Sequence, residues 1–206
     1  YFAKMKAEPE SLHARDYVSR LMAEGRYTFT SREAREALGV SADAARLALN
    51  RLGRQGWIAS PARGFYVIVP PEYQRLGCLP ADQFIPALME SRGSLYYAGL
   101  LSAAQYHGAA HQRPQSFQVM VGKPRRAIQC GRVRVEFMVR KGIGDVPTVT
   151  RNTPRGSVRV SSVEATAVDL VGYVHQSGGL DQVATILSEL AENMDPVRLD
   201  DAAKTA

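Results

Sequence analysis

The chain has 206 residues, 45% of them hydrophobic, with ordinary glycine and proline counts, a net charge of +6 and a pI near 9.5. That composition implies a cored globular protein of one large domain or two small ones, and excludes a disordered or fibrous chain. The mild basicity suits a polyanionic partner without requiring one; no apolar run reaches membrane-spanning length and no secretory leader is legible, so a cytoplasmic protein without a membrane partner is expected.

In chain order, residues 1–10 are polar and read as frayed. An amphipathic helix is predicted over 11–25, with Leu12, Val18, Leu21 and Met22 on its apolar side. Tyr27-Thr28-Phe29 reads as a short extended entry. Thr30-Ser31-Arg32-Glu33 then forms a capping box, in which Thr30 and Glu33 satisfy orphan amides reciprocally. A helix over 31–38 stops at Gly39, a residue type able to end a helix in the left-handed conformation. Ser41 can cap a second helix running to about Gln55, with Asp43 meeting the positive end of its dipole. Two helices joined by so tight a turn make the helix-turn-helix signature.

The second helix has two faces. Ala45, Ala48, Leu49 and Leu52 form a buried stripe at helical spacing. Arg46, Asn50 and Arg54 lie largely off it, and Arg and Asn are the side chains that bond bidentately to guanine and adenine edges. A strand at 57–60, a turn at 61–64 and a strand at 65–69 complete a hairpin wing with Arg63 at its tip. A two-helix unit and hairpin with merely solvated arginines would share some of these features. The agreement of turn, caps, stripe and basic tip favours a DNA-binding winged helix-turn-helix. The expected DNA contacts are Ser31 and Arg32, then Ser41, Ala42, Asp43, Arg46, Asn50, Arg51 and Arg54, and Arg63. Arg46 and Asn50 are assigned to base edges, Arg51 and Arg54 to phosphates, and Arg63 to the backbone or minor groove.

Pro70-Pro71 cannot continue a strand ladder, which places a domain boundary there. The expected organisation is a winged helix over 1–70, a linker over 71–80 and a second domain over 81–206. The fold class is α+β, a winged helix-turn-helix followed by a mixed α/β domain. In that second domain helices are predicted over 81–91, 94–107, 163–175 and 180–192, ahead of a polar, acidic tail. Strands are predicted over 117–121 and 157–160, and a hairpin over 127–129 and 132–139 closed by Cys130-Gly131. Val133, Val135, Phe137 and Val139 should face one way, with Arg132, Arg134, Glu136 and Arg140 on or near the other. Ser161-Ser162-Val163-Glu164 reads as another capping box.

Charge is uneven in this half. Residues 111–159 hold 11 Lys/Arg against 2 acids, whereas 160–206 hold 2 Lys/Arg against 8 acids. A basic sheet face solvated or paired by acidic helices explains this, and so does a basic platform for DNA phosphates or an acidic or nucleotide-bound partner. The candidate phosphate or partner contacts are Lys123, Arg125, Arg126, Arg132 and Arg134.

No catalytic constellation is legible. Cys78 and Cys130 have no metal-ligand spacing and read as reduced thiols, and His13, His107, His111 and His175 are scattered. Gly93-Ser94 matches the start of a nucleotidyltransferase motif, but no Asp-x-Asp follows. A nuclease of the Asp…Glu-x-Lys type would need lysine where Glu136-Phe137-Met138 has methionine. Gly142-Ile143-Gly144 lacks the remainder of a phosphate loop. The expectation is a binding protein with no catalytic residues, no cofactor and no metal.

Several stretches carry a family resemblance. They are Arg63-Gly64-Phe65-Tyr66-Val67-Ile68-Val69-Pro70-Pro71-Glu72-Tyr73, the segment Leu95-Tyr96-Tyr97-Ala98-Gly99-Leu100-Leu101-Ser102-Ala103-Ala104 with His107-Gly108-Ala109-Ala110-His111-Gln112-Arg113-Pro114 and Phe117-Gln118-Val119 after it, and Arg159-Val160-Ser161-Ser162-Val163-Glu164-Ala165-Thr166-Ala167-Val168-Asp169-Leu170. Together they resemble the AbiEi antitoxins, the regulatory half of bacterial AbiE abortive-infection toxin–antitoxin systems. The resemblance spans about residues 11–175 and thins beyond Val183. It implies a transcriptional autorepressor that binds double-stranded operator DNA at inverted repeats through its N-terminal domain. It also implies a C-terminal domain that opposes a cognate nucleotidyltransferase-like toxin without a stable toxin–antitoxin complex. The family transfers no catalytic residue. Two other classes fit the residues: a ligand-sensing winged-helix regulator, which predicts an apolar pocket, and a degenerate nuclease with a DNA-targeting winged helix, which predicts a carboxylate cluster around a metal.

Overall fold

The computed structural model describes residues 13–109 and 114–205, so the expectations placed on residues 1–12 and on 110–113, Leu12, His111 and Arg113 among them, lie outside the described residues. The chain divides into two compact units, the first ending at Cys78 and the second starting at Leu79.

The first unit runs α1 (Ala14–Ala23), β1 (Thr28–Thr30), α2 (Ser31–Leu38), α3 (Ala42–Arg54), β2 (Ile58–Ala62) and β3 (Phe65–Ile68), followed by a 3-10 turn at Pro71–Tyr73. The capping box forms as its residues dictate. The Glu33 amide donates to Thr30 Oγ1 at 3.2 Å, and the Thr30 amide donates to Glu33 Oε2 at 2.7 Å. Gly39 ends α2 at φ +63°, and Ser41 caps α3 by accepting from the Ala44 amide at 3.2 Å. The core joins Tyr17, Val18 and Leu21 of α1 to Phe29, Ala34, Leu38, Leu49, Leu52, Ile58 and Ile68. Ala45 is buried with that stripe, whereas Ala48 is half-buried. Tyr17, not singled out in the sequence, meets Phe29 edge-on, and Phe29 stacks on Tyr66 with centroids 5.4 Å apart.

Two features differ from expectation. The extended entry is a strand: β1 pairs antiparallel with β3, giving a sheet of order β1-β3-β2. The wing turn is only Arg63-Gly64, because Pro61 and Ala62 continue β2. A register irregularity between Ala59 and Ala62 absorbs the proline, which has no N–H to give a regular ladder.

The second unit runs α4 (Ala81–Ser91), β4 (Tyr96–Ala98), α5 (Leu100–Tyr106), β5 (Phe117–Val121), β6 (Ile128–Cys130), β7 (Val133–Val139), β8 (Thr148–Thr153), β9 (Gly156–Ser161), α6 (Val163–Gly172), a 3-10 turn at Val174–Ser177, α7 (Leu180–Ala191) and α8 (Pro196–Ala203). Six strands form a mixed sheet of order β6-β7-β5-β4-β9-β8. Tyr97, Met120 and Met138 stand side by side across β4, β5 and β7 and pack with Leu170, Ile186, Leu190 and Ala202.

The structure corrects the sequence reading at several points. The helix expected over 94–107 is a strand, a glycine and a shorter helix. At Gly99 a Cβ would come within 2.6 Å of Met120 Cγ, so any side chain there would have to displace Met120 from the core, and Leu100 follows at φ +52°. An unforeseen strand, β8, makes a hairpin with β9 through Pro154-Arg155. In β7 both faces are partly covered: Met138 and Arg140 are buried while Val139 is 41% exposed, so the simple apolar-in, charged-out division fails beyond Glu136. The cap of α6 is Ser162, whose Oγ accepts from the Ala165 amide at 3.2 Å; Ser161 belongs to β9 and bonds Thr166 instead. Helix α6 stops at Gly172, short of His175. The acidic tail is not merely polar, since α8 is capped by Asp195 and buries Ala202 in the core.

Arg140 is no part of a basic surface. It is 6% exposed and its Nη1 lies 2.7 Å from Oδ1 of Asp169, which is fully buried. Tyr97 Oη donates to Asp169 Oδ2 at 2.8 Å, and Arg140 Nη2 donates to the Thr205 carbonyl at 3.0 Å. Burial between these partners pushes the Tyr97 hydroxyl far above its usual range, so it stays a donor.

Candidate nucleic-acid interface

The start of α2, the first turns of α3 and the wing turn come together in the first unit. Ser31 opens α2, and its amide donates to the Gly64 carbonyl at 2.9 Å. A cleft of about 500 Å3 lies between these elements, lined by Ser31, Arg32, Arg35, Ala42, Arg46 and Arg63 above a floor of Ala45, Leu49, Gly64 and Tyr66. Five of the residues expected to touch DNA, Ser31, Arg32, Ala42, Arg46 and Arg63, therefore share one concave surface. Ser41 and Asp43 are exposed at the start of α3, and Asn50, Arg51 and Arg54 are exposed further along it.

The polar groups of this surface are held by one another. Arg46 Nη2 meets Asp43 Oδ1 at 3.2 Å, and Arg32 Nε meets Glu36 Oε1 at 2.8 Å. Both pairs are solvent-exposed and weakly held, so either arginine can exchange its carboxylate for a phosphate or a base edge at little cost. Glu33 is pushed up by burial, but bonds from the Thr30 amide and hydroxyl and from Arg26 outweigh this and lower its pKa overall. It stays an anion that ties the start of α2 to Thr30 and Arg26. Arg35 and Tyr66 line the cleft without having been singled out; the signal available was Arg35 one turn after Arg32 on the same helix face.

In the second unit, Lys123, Arg125 and Arg126 sit in the β5–β6 connection, and Arg132 and Arg134 on the adjoining hairpin. Lys123, Arg126, Arg132 and Arg134 are exposed. Arg125 is half-buried and bonds Ser94, and Arg134 Nε donates to Gln129 Oε1 at 2.9 Å across the hairpin.

The histidines and carboxylates do not gather. Among the described residues no group of three or more His, Cys, Asp or Glu could hold a metal ion. Cys78 and Cys130 are buried thiols not joined to each other. His107 Nε2 donates to the Ser161 carbonyl at 2.8 Å, and burial, with Arg151 beside Nδ1, lowers its pKa and keeps the ring neutral. Met138, where a nuclease of the Asp…Glu-x-Lys type would need lysine, is a core residue. No helix among the described residues is long and apolar enough to cross a membrane.

Comparison with known proteins follows the division of the chain. Residues 16–69 match the family of the transcriptional regulator, AbiEi antitoxin, and residues 97–206 match the AbiEi antitoxin C-terminal domain. No curated protein matches significantly. Among solved structures, the RV2827C protein from Mycobacterium tuberculosis is similar in fold, with a TM-score of 0.64 at 18% identity over 93% of this chain and 71% of that one.

Proposed function

The chain belongs to the AbiEi antitoxin family, and from that premise we propose that it represses its own toxin–antitoxin operon by binding inverted repeats in the operator, and opposes a nucleotidyltransferase-like toxin. The observation that carries the DNA-binding half is the convergence of Arg32, Arg46 and Arg63 with the starts of α2 and α3 on one cleft. In this reading α3 enters the major groove, Arg46 and Asn50 bond base edges, Arg51 and Arg54 bond phosphates, and the wing sets Arg63 on the backbone or in the minor groove. Ser31, Arg32, Ser41, Ala42 and Asp43 line the approach. Lys123, Arg125, Arg126, Arg132 and Arg134 contribute phosphate or partner contacts from the second unit.

Residues 1–70 carry operator recognition, 71–80 connect, and 81–206 carry the antitoxin activity, exerted without a stable toxin–antitoxin complex. Co-expression with the toxin encoded beside it, together with a reporter driven by the operon's promoter, tests this division. The full chain carrying Arg46→Ala and Asn50→Ala should lose repression and still rescue growth. Loss of both, or of neither, would overturn the assignment.

A further inference from the structure

We propose that Leu47 is a sequence-reading residue of α3 that packs on the 5-methyl group of a thymine in the major groove. The proposal rests on the operator-binding reading and deepens it by naming a base that the polar side chains of α3 leave unread.

Leu47 is 53% exposed, one of the larger apolar side chains left open to solvent among the described residues. A single exposed leucine is ordinary on a protein surface. Its position is what matters here. At 3.6 residues per turn, Leu47 projects from the side of α3 opposite Ala45, Leu49 and Leu52, the three residues of that helix buried in the unit. Its neighbours on that outward side are Asp43 one turn before, and Asn50 and Arg51 one turn after, all exposed. Leu47 is not among the residues that form or pack against the core of the unit. It thus stands on the outward side of α3, turned away from the cleft floor of Ala45 and Leu49 and set between side chains that make hydrogen bonds; in the operator-binding reading this outward side is what enters the groove.

Those neighbours can read donors and acceptors, and they have nothing to offer a carbon atom. Thymine is the base that presents one, its 5-methyl group, at the major-groove edge, and an apolar side chain is what recognises it. A leucine there also discriminates by exclusion: the hydrophilic edge of cytosine or guanine in the same place would lose water against Leu47 and gain no partner. Leu47 and Asn50 are about 4.5 Å apart along the helix axis, so their contacts fall on neighbouring base pairs. With Asn50 on an adenine, the inferred target contains an A·T pair beside a thymine-bearing one.

The test uses the full chain and a duplex pool with a randomised core. The enriched duplex is resynthesised with each thymine in turn replaced by deoxyuridine, which removes only the methyl group. At one position the substitution should weaken wild-type binding by about fourfold, the worth of one buried methyl group. Leu47→Ala should bind the thymine duplex several-fold more weakly and be indifferent to deoxyuridine at that position. Alanine is the better helix former, so α3 stays intact, and equal circular dichroism of the two proteins checks this. If Leu47→Ala retains the full deoxyuridine penalty, or binds as tightly as wild type, the leucine is not the reader, although operator binding stands. If wild-type protein enriches no sequence, the operator reading falls and this assignment with it.

Discussion

The amide of Ser31 and the carbonyl of Gly64 are 2.9 Å apart, a single hydrogen bond that fastens the wing turn to the first residue of α2. Gly64 sits at φ +73°, and a Cβ there would meet only Ser31 Oγ at an ordinary 3.6 Å. Alanine is therefore opposed by backbone conformation and not by space. Gly64→Ala should destabilise the protein by roughly 1–2 kcal/mol, and Gly64→Asn by less, since asparagine tolerates the left-handed region. Urea unfolding reads this directly; an unchanged midpoint for alanine would contradict the assigned turn.

Arg63 precedes that glycine at the tip, and the anchor fixes where its guanidinium can reach. Arg63→Ala should flatten the salt dependence of operator binding by about one unit of slope. An unchanged slope would remove the wing from the contact list.

Arg46 and Asn50 carry the base-reading assignment. Replacing either with alanine should cost roughly 1–3 kcal/mol on operator DNA and less on random DNA. Arg46 must leave Asp43 to reach DNA, so Asp43→Ala, which frees it, should strengthen non-specific binding. Equal losses on both duplexes in gel-shift titrations would make α3 a phosphate-binding element alone.

The buried pair Arg140–Asp169 gives a prediction of stability. Arg140→Met would strand a buried carboxylate and should cost about 3–5 kcal/mol, whereas Arg140→Met with Asp169→Asn, which removes the charge and can still accept from Tyr97 Oη, should recover part of that loss. Denaturant titration of the single and double variants decides it, and an additive double loss would refute the pairing argument.

His107 sets a pH dependence. Its pKa is lowered chiefly by burial, so the folded protein binds the proton less readily than the unfolded chain. Its contribution is complete above the ordinary value of 6.5 and is lost as pH falls through the lower folded value. His107→Gln, which can still donate to the Ser161 carbonyl, should flatten the stability profile below pH 6.5. Identical profiles for the two proteins would rule this out.

The first unit was largely legible in the sequence because short-range rules govern it. Thr30, Glu33, Gly39 and Ser41 act within a turn of themselves, and they set α2 and α3 as expected. The second unit was less so. Tyr96-Tyr97-Ala98 becomes a strand only because β5 and β9 flank it, and the alanines that follow disguise the break at Gly99. Strand β8 is exposed along nearly its whole length, so it has no apolar alternation to read. Met138 and Arg140 are buried by helices that arrive later in the chain. At the candidate interface the exposure of Arg46, Asn50 and Arg63 followed from helical spacing and the wing turn, but the Arg46–Asp43 pairing and the exposure of Leu47 needed coordinates.

The strand order also sets a timetable for synthesis. The first unit has all its strands and helices by Ile68, so it can fold while the remainder is still being made. The second cannot proceed in the same way. Strand β4 is made early and sits near the middle of the sheet, yet its neighbour β9 is the last strand translated. Tyr97 waits still longer, for a carboxylate 72 residues downstream. Until then β4 has an unpaired edge and an uncovered apolar row, the condition in which nascent chains stick to one another. The DNA-binding half is thus ready before the half that completes the molecule.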